Sequence, residues 1–193
     1  SVSPYYSKPT QEGIYQHFKV IADTSPVPVI LYNVPGRTGS NMTVETILRI
    51  ANASRNVIAV KEASGNMDQM MQIIQNKPAG FELISGDDAI TLPIMAAGAI
   101  GVISVVGNAL PKRFSTMVSQ CLNQEFFEAQ KLHYQLYDII GALFEEGNPG
   151  GVKEILQMLN ICKNNLRMPL VPVSENHKQK LYKLLADKGI LNN

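Results

Sequence analysis

Short apolar runs alternate with stretches of helical periodicity along the first 122 residues. The apolar runs are rich in β-branched residues and are predicted to be buried strands, at residues 27–32, 56–61, 81–85 and 101–106. Helical spacing is found before and between them, at residues 12–23, 43–53, 67–76, 88–97 and 111–122. A helix after each strand supplies the crossover that parallel strands require. The alternation therefore predicts an α/β fold with a parallel sheet.

Two architectures contain such a sheet, a closed (β/α) barrel and an open doubly wound sheet. No G-x-G-x-x-G motif follows any predicted strand, so the dinucleotide-binding open sheet lacks its signature and the barrel is favoured. A complete (β/α)8 TIM barrel takes eight strands and about 250 residues. This chain shows four strands and, at SVSPYYSKPT, the end of another. We therefore expect the C-terminal portion of a barrel, about its last four to five βα units, without the N-terminal units.

Beyond Leu122 the strand pattern stops, and helices are predicted at residues 125–145, 149–159 and 175–188. Pro169 and Pro172 make the MPLVPV segment extended, because proline fixes its own φ and restricts the preceding residue. The sequence thus predicts two domains, a partial barrel at residues 1–124 and a helical extension at residues 125–193.

Charge and cysteine usage exclude several classes of protein. The 17 basic and 16 acidic residues give a net charge of +1 with no basic stripe, which argues against nucleic acid as a partner. Cys121 and Cys162 show neither disulfide nor zinc spacing, so we expect no metal site and a reducing, cytoplasmic location. The apolar runs are shorter than the roughly 20 residues of a membrane span, so no membrane association is expected.

Polar residues at the carboxyl ends of barrel strands are the candidates for chemistry, because active sites of this fold lie there. Lys61 ends the strand at 56–61, and a dry barrel mouth favours the neutral amine that attacks a ketone carbonyl. An ion pair with Glu62, or extension into solvent, is the structural alternative for Lys61. Tyr32 ends the preceding strand and could pass protons beside Lys61, or it could be a core aromatic.

Other strand-end residues are less specific. Arg37 lies in a short loop, where its guanidinium could bind a substrate carboxylate or remain a solvated charge. Asp87 and Asp88 are interpreted as helix caps. Loops after the last strands are acidic or neutral, which disfavours a phosphorylated substrate.

Longer motifs make the chain resemble the dihydrodipicolinate synthase family, within the pyruvate-dependent class I aldolases that also include N-acetylneuraminate lyase. They are PYYSKPTQEGIYQHF, LYNVPGRTG, VIAVKEASGN, ISGDD, GVISV and RMPLVPV. The resemblance implies an enzyme without a cofactor that condenses pyruvate with L-aspartate 4-semialdehyde. The product would be 4-hydroxy-tetrahydrodipicolinate, a precursor of lysine and diaminopimelate.

The resemblance also implies roles for single residues. Lys61 would form the Schiff base with pyruvate, and Tyr32 would relay protons beside it. Tyr6, the second tyrosine of PYY, would reach across a dimer interface into the neighbouring site. The implied assembly is a homotetramer, a dimer of dimers.

Further positions match the family's substrate and regulatory sites. Arg37 would bind the carboxylate of aspartate semialdehyde, Gly86 and Ile103 would line the pyruvate pocket with their backbone, and Tyr5 would belong to an allosteric lysine pocket. Arg37 favours a short aldehyde acid over the sugar-derived 2-oxo acids of N-acetylneuraminate or 2-keto-3-deoxy sugar acid lyases. The alternatives left open are such a lyase and a catalytically inactive barrel fragment that only folds or associates.

Overall fold

The structure, a computed structural model, describes residues 1–191. The chain forms two compact units, one of residues 1–103 and one from Ser104 onward. The functional domains predicted at 1–124 and 125–193 stay a prediction. Within the described part of the chain, no helix is long and apolar enough to cross a membrane.

The first unit is built on a parallel sheet with its strands in chain order. The strands are β1 (Val29–Asn33), β2 (Val57–Glu62) and β3 (Glu82–Ser85), and their order is β1-β2-β3. Single parallel bridges extend the sheet on both sides, from Val2 to Tyr32 and from Ser85 to Val102. The predicted strand end at the start of the chain therefore pairs with β1.

Five helices of the first unit accompany these strands: α1 (Gln11–Thr24), α2 (Pro35–Thr38), α3 (Val44–Ala53), α4 (Met67–Asn76) and α5 (Thr91–Ala96). Because parallel connections are right-handed, strands added in one direction place their helices on one face. Contacts of α1 with α3, of α3 with α4 and of α4 with α5 agree with this arrangement. Leu31, Val60 and Leu83 lie in register and are fully buried. The predicted α/β class with a parallel sheet is confirmed.

The predicted strand at 101–106 is wrong over most of its length. Its hydrogen bonds with β3 run from Ser85 N to Gly101 O and from Ile103 N to Ser85 O. Val105 already has helical dihedrals and Val106 begins a helix. An apolar run of this length cannot by itself distinguish a strand from a short helix.

The second unit is helical, as predicted for the end of the chain. Its helices are α6 (Val106–Ala109), α7 (Pro111–Leu122), α8 (Phe126–Ala142), α9 (Gly150–Met158) and α10 (Glu175–Asp187). Its core is fully buried at Met117, Leu136, Ile139, Ile155 and Leu181. The segment before α10 contains one turn at residues 168–169 and is otherwise irregular.

Candidate active site

The carboxyl ends of β1 and β2 bring Lys61 and Tyr32 together. The parallel register places Tyr32 opposite Lys61, so both side chains lie on the same face of the sheet. The Lys61 Nζ lies 4.0 Å from the centroid of the Tyr32 ring. Both residues are half-buried. A reactive amine and a phenol are thus neighbours at the edge of the sheet where barrel active sites are found.

The Lys61 amine has no competing partner within the part of the chain that the structure describes. No hydrogen bond or ion pair holds it among residues 1–191, and its contact is with the face of an aromatic ring. The ion pair with Glu62 that the sequence left open is not formed. Glu62 is the next residue of the strand, so its side chain lies on the opposite face, where it is fully buried.

Gly86 lies against Lys61 at the end of β3. Its N–H donates to the Glu62 carbonyl at 2.7 Å. A Cβ at this position would lie 2.6 Å from the Ala63 Cβ, 3.0 Å from the Glu62 carbonyl oxygen and 3.2 Å from the Lys61 Cε. The close approach of the two strand ends therefore requires glycine.

Ile103 lies at the next position along the same edge. Its N–H donates to the Ser85 carbonyl at 3.0 Å, and its side chain is 45% exposed. Three successive parallel segments therefore end at one edge of the sheet. Lys61 is the penultimate residue of β2, Gly86 directly follows β3, and Ile103 directly follows the bridge at Val102.

Arg37 belongs to a helical turn rather than to the loop expected from the sequence. Pro35 starts this turn directly after β1, and Gly39 ends it with a φ of 69°. Proline is suited to the first position of a helix and glycine to the residue that ends it, which explains the difference. Arg37 is exposed, and its guanidinium has no hydrogen-bond or ion-pair partner within residues 1–191.

Tyr5 and Tyr6 are directed away from the first unit. Tyr6 is 92% exposed and Tyr5 is 67% exposed. Tyr6 has a φ of 65°, and the Ser7 N–H donates to the Tyr5 carbonyl at 2.8 Å. Tyr6 is therefore the central residue of a γ-turn with positive φ, which is the rarer and more strained form of this turn. The structure therefore does not bring Tyr6 to the Lys61 of its own chain.

The acidic pair after β3 does not cap α5. The residue before α5 is Ile90, which makes no side-chain cap, whereas the Asp87 carboxylate accepts from Ala89 N at 2.9 Å. The interpretation of Asp87 and Asp88 as helix caps is therefore wrong, because a turn separates them from the helix. Across residues 1–191, no cluster of three or more His, Cys, Asp or Glu could hold a metal ion.

A polar cluster that the sequence motifs did not identify lies behind Lys61 and Tyr32. Asn33 and Glu62 follow them in the chain, lie opposite each other across the strands and are fully buried. The Asn33 Nδ2 donates to the Glu62 Oε2 at 2.8 Å. The signal was present, because each polar residue directly extends an apolar strand whose alternation turns it towards the helices.

Known proteins resemble this chain over nearly its whole length. The Dihydrodipicolinate synthetase family matches residues 1–188. The 4-hydroxy-tetrahydrodipicolinate synthase of Flavobacterium psychrophilum is 57% identical over 181 residues, which are 94% of this chain and 62% of that protein. The enzyme of the same name from Parabacteroides distasonis is 54% identical over 190 residues, which are 98% of this chain and 64% of that protein.

Solved structures show the same similarity. The dihydrodipicolinate synthase of Aquifex aeolicus is 40% identical with a TM-score of 0.95, over 100% of this chain and 66% of that one. A monomeric dihydrodipicolinate synthase variant is 39% identical with a TM-score of 0.96, over 98% of this chain and 64% of that one. The chain thus spans 62% to 64% of the length of these two curated relatives.

Proposed function

Because this chain belongs to the dihydrodipicolinate synthetase family, we propose that the protein containing it condenses pyruvate with L-aspartate 4-semialdehyde through a Schiff base on Lys61. The observation that carries the proposal is the Lys61 amine, unpaired within residues 1–191 and lying 4.0 Å from the centre of the Tyr32 ring. The relatives of the same name, at 54% and 57% identity, support the choice of reaction.

The chemistry follows from an amine beside a phenol. The neutral Lys61 amine adds to the C2 ketone of pyruvate, and loss of water gives the imine. The imine withdraws electrons from C2, so a proton can leave C3 and an enamine forms. The enamine carbon attacks the aldehyde carbon of the semialdehyde, and the aldehyde oxygen takes up a proton. The amino group of the semialdehyde then displaces Lys61 from C2, which closes the ring and releases the free amine. Tyr32 would carry protons to and from the intermediates.

Three further residues would hold the substrates. Arg37 would bind the carboxylate of the semialdehyde with its planar guanidinium, which supplies two parallel donors. Gly86 and Ile103 would present backbone to pyruvate, and their places beside and beyond Lys61 at one sheet edge support this role.

Tyr6 would act in the site of a second subunit. Its nearly complete exposure and strained backbone support a role outside its own chain, because strain of this kind clusters at functional positions. Activity would then require a dimer, and we propose the dimer of dimers. Tyr5, also exposed, would contribute to a lysine-binding allosteric pocket. Cytoplasmic location is part of the same proposal.

Borohydride reduction in the presence of pyruvate tests the Schiff base. In the full-length protein, one reduced pyruvate adduct is expected on the peptide that contains Lys61. A Lys77→Arg variant is the matched control and should keep the adduct, because Lys77 is bound instead to Glu82 at 2.7 Å. A folded full-length protein that shows no adduct on Lys61 would refute the proposal.

Substitution of Arg37 tests the second substrate. Arg37→Ala should raise the half-saturating concentration of aspartate semialdehyde by about tenfold to a hundredfold, because losing hydrogen bonds to a charged group weakens binding by about this factor. Trapping of pyruvate on Lys61 should be unchanged. If Arg37→Ala instead leaves turnover of a sugar-derived 2-oxo acid intact and that acid is the better substrate, the lyase alternative is correct.

A further inference from the structure

A ring of polar side chains lies on the opposite face of β1 and β2 from Lys61 and Tyr32. Its members Asn33, Glu62 and Gln69 are buried, and its fourth member, Asn41, is exposed. The Glu62 carboxylate is fully buried and accepts three hydrogen bonds. The donors are Asn33 Nδ2 at 2.8 Å, Gln69 Nε2 at 3.1 Å and the backbone N–H of Ser64 at 2.7 Å. All three donors are neutral, and no cation pairs with Glu62 among residues 1–191.

Asn33 and Gln69 extend the ring to other elements. Asn33 Nδ2 also donates to Asn41 Oδ1 at 2.8 Å, and Asn33 Oδ1 accepts from Met42 N at 3.0 Å. Asn41 Nδ2 donates to Gln69 Oε1 at 2.8 Å. The hydrogen bonds thus connect the ends of β1 and β2 to α4, which carries Gln69, and to the segment between α2 and α3.

The ring is coupled to the reactive face by the geometry of a strand. Tyr32 and Asn33 are consecutive and lie on opposite faces, as do Lys61 and Glu62. A strand that rotates about its axis moves both faces together. Hydrogen bonds between Asn33 and Glu62 therefore also set the angle at which Lys61 meets Tyr32.

The buried charge of Glu62 is not explained by stability alone. Burial of a carboxylate without a cation is unfavourable, and an apolar side chain of similar size is often at least as stabilising. A carboxylate that accepts three directed hydrogen bonds holds the surrounding side chains in a single arrangement, because buried polar groups whose hydrogen bonds are all formed are rigid. Such rigidity is useful where two reactive side chains, here Lys61 and Tyr32, must be held in a defined geometry.

We propose that Glu62 is a positioning residue which, through Asn33 and Gln69, holds Lys61 against Tyr32 for imine formation. This inference rests on the proposed Schiff-base function. Asn33 has an additional effect, since its bonds to Asn41 and Met42 join the two ends of the segment that carries Arg37.

The test is Glu62→Gln in the full-length protein, with the rate of borohydride-trapped imine formation measured at saturating pyruvate. The amide keeps the shape of Glu62 but turns an NH2 group towards donors, so at least one of the three bonds is lost. The rate should fall on the order of tenfold, because small misplacement of reacting groups has effects of this size. The half-saturating pyruvate concentration should change little. Glu82→Gln on β3, which removes the half-buried ion pair with Lys77, is the control and should keep the wild-type rate.

A double variant separates positioning from simple stability. Asn33→Asp combined with Glu62→Gln exchanges the acid and the amide, and rotation of the Asn41 and Gln69 amides restores the bonds in the reverse direction. The double variant should recover most of the imine rate. If Glu62→Gln is folded and keeps the wild-type rate, or if it loses melting temperature but not rate, the inference is overturned.

Two outcomes distinguish this inference from the proposed function. Absence of any Lys61 adduct in the wild-type protein would refute the function itself. If the wild type forms the trapped Lys61 adduct normally but Glu62→Gln does not fold, Gln69→Met provides the test. This variant keeps the Glu62 charge and its hydrogen bond from Asn33 and removes one of its three donors. A smaller but measurable loss of imine rate in Gln69→Met supports positioning, and a wild-type rate refutes it.

Discussion

Substitution of Gly86 by alanine should destabilise the protein through two identified close contacts. The added Cβ would lie 2.6 Å from the Ala63 Cβ and 3.0 Å from the Glu62 carbonyl oxygen. Neither atom can rotate away, since one is attached directly to the backbone and the other belongs to it. Overpacking of this kind costs about 1–3 kcal/mol, and rigid neighbours place Gly86→Ala in the upper half of that range.

Denaturant unfolding of the full-length protein, followed by circular dichroism at one protein concentration, measures this loss. Gly141→Ala is the matched control, because Gly141 lies within α8 and a Cβ there meets nothing within 4 Å. It should be neutral or stabilising by up to about 1 kcal/mol.

Ala63→Gly should rescue part of the loss, because it removes the shorter of the two backbone-fixed contacts. The double variant should be more stable than the sum of the single effects predicts. Strictly additive effects, or a loss below about 0.5 kcal/mol for Gly86→Ala alone, would show that the strand ends separate freely and would refute the reasoning.

Two predictions concern the second unit. Burial lowers the pKa of His133 below its usual 6.5, so the unfolded chain takes up the proton at a higher pH than the folded one and stability should fall as the pH drops below about 6.5. His133→Phe should flatten this fall in melting temperature, and an unchanged pH profile would exclude His133 as its cause. The second prediction concerns Ser174, which caps α10 by accepting a hydrogen bond from His177 N at 3.2 Å. Ser174 also donates to the Glu146 carboxylate through its N–H and its hydroxyl, and these hydrogen bonds lower the pKa of Glu146. Ser174→Ala should cost about 1 kcal/mol in chemical unfolding and raise the Glu146 pKa towards its ordinary value in an NMR titration, whereas Ser115→Ala, on the exposed surface of α7, should do neither.

Local patterns were sufficient for the elements that carry the site. The alternation of apolar runs and helical periods predicted β1, β2 and β3 within a few residues, because apolar, β-branched runs and amphipathic spacing are properties of short segments. The position of Lys61 and Tyr32 at strand ends followed from the same pattern. Resemblance of whole motifs, rather than periodicity, predicted the family, and the family match confirms it.

Pairing between distant segments was not available from the residues themselves. The run at 101–106 is apolar like the true strands, yet a helix begins at Val106. Hydrophobicity alone does not determine which backbone groups will form hydrogen bonds with another strand. The partners of the Glu62 carboxylate were equally open on spacing alone. Strand alternation keeps Glu62 away from Lys61, but its side-chain donors are Asn33 and Gln69, which lie 29 positions before and 7 positions after it in the chain. Burial and period are local and can be read along the chain, whereas the partner of a buried polar group depends on which segments the fold brings beside it.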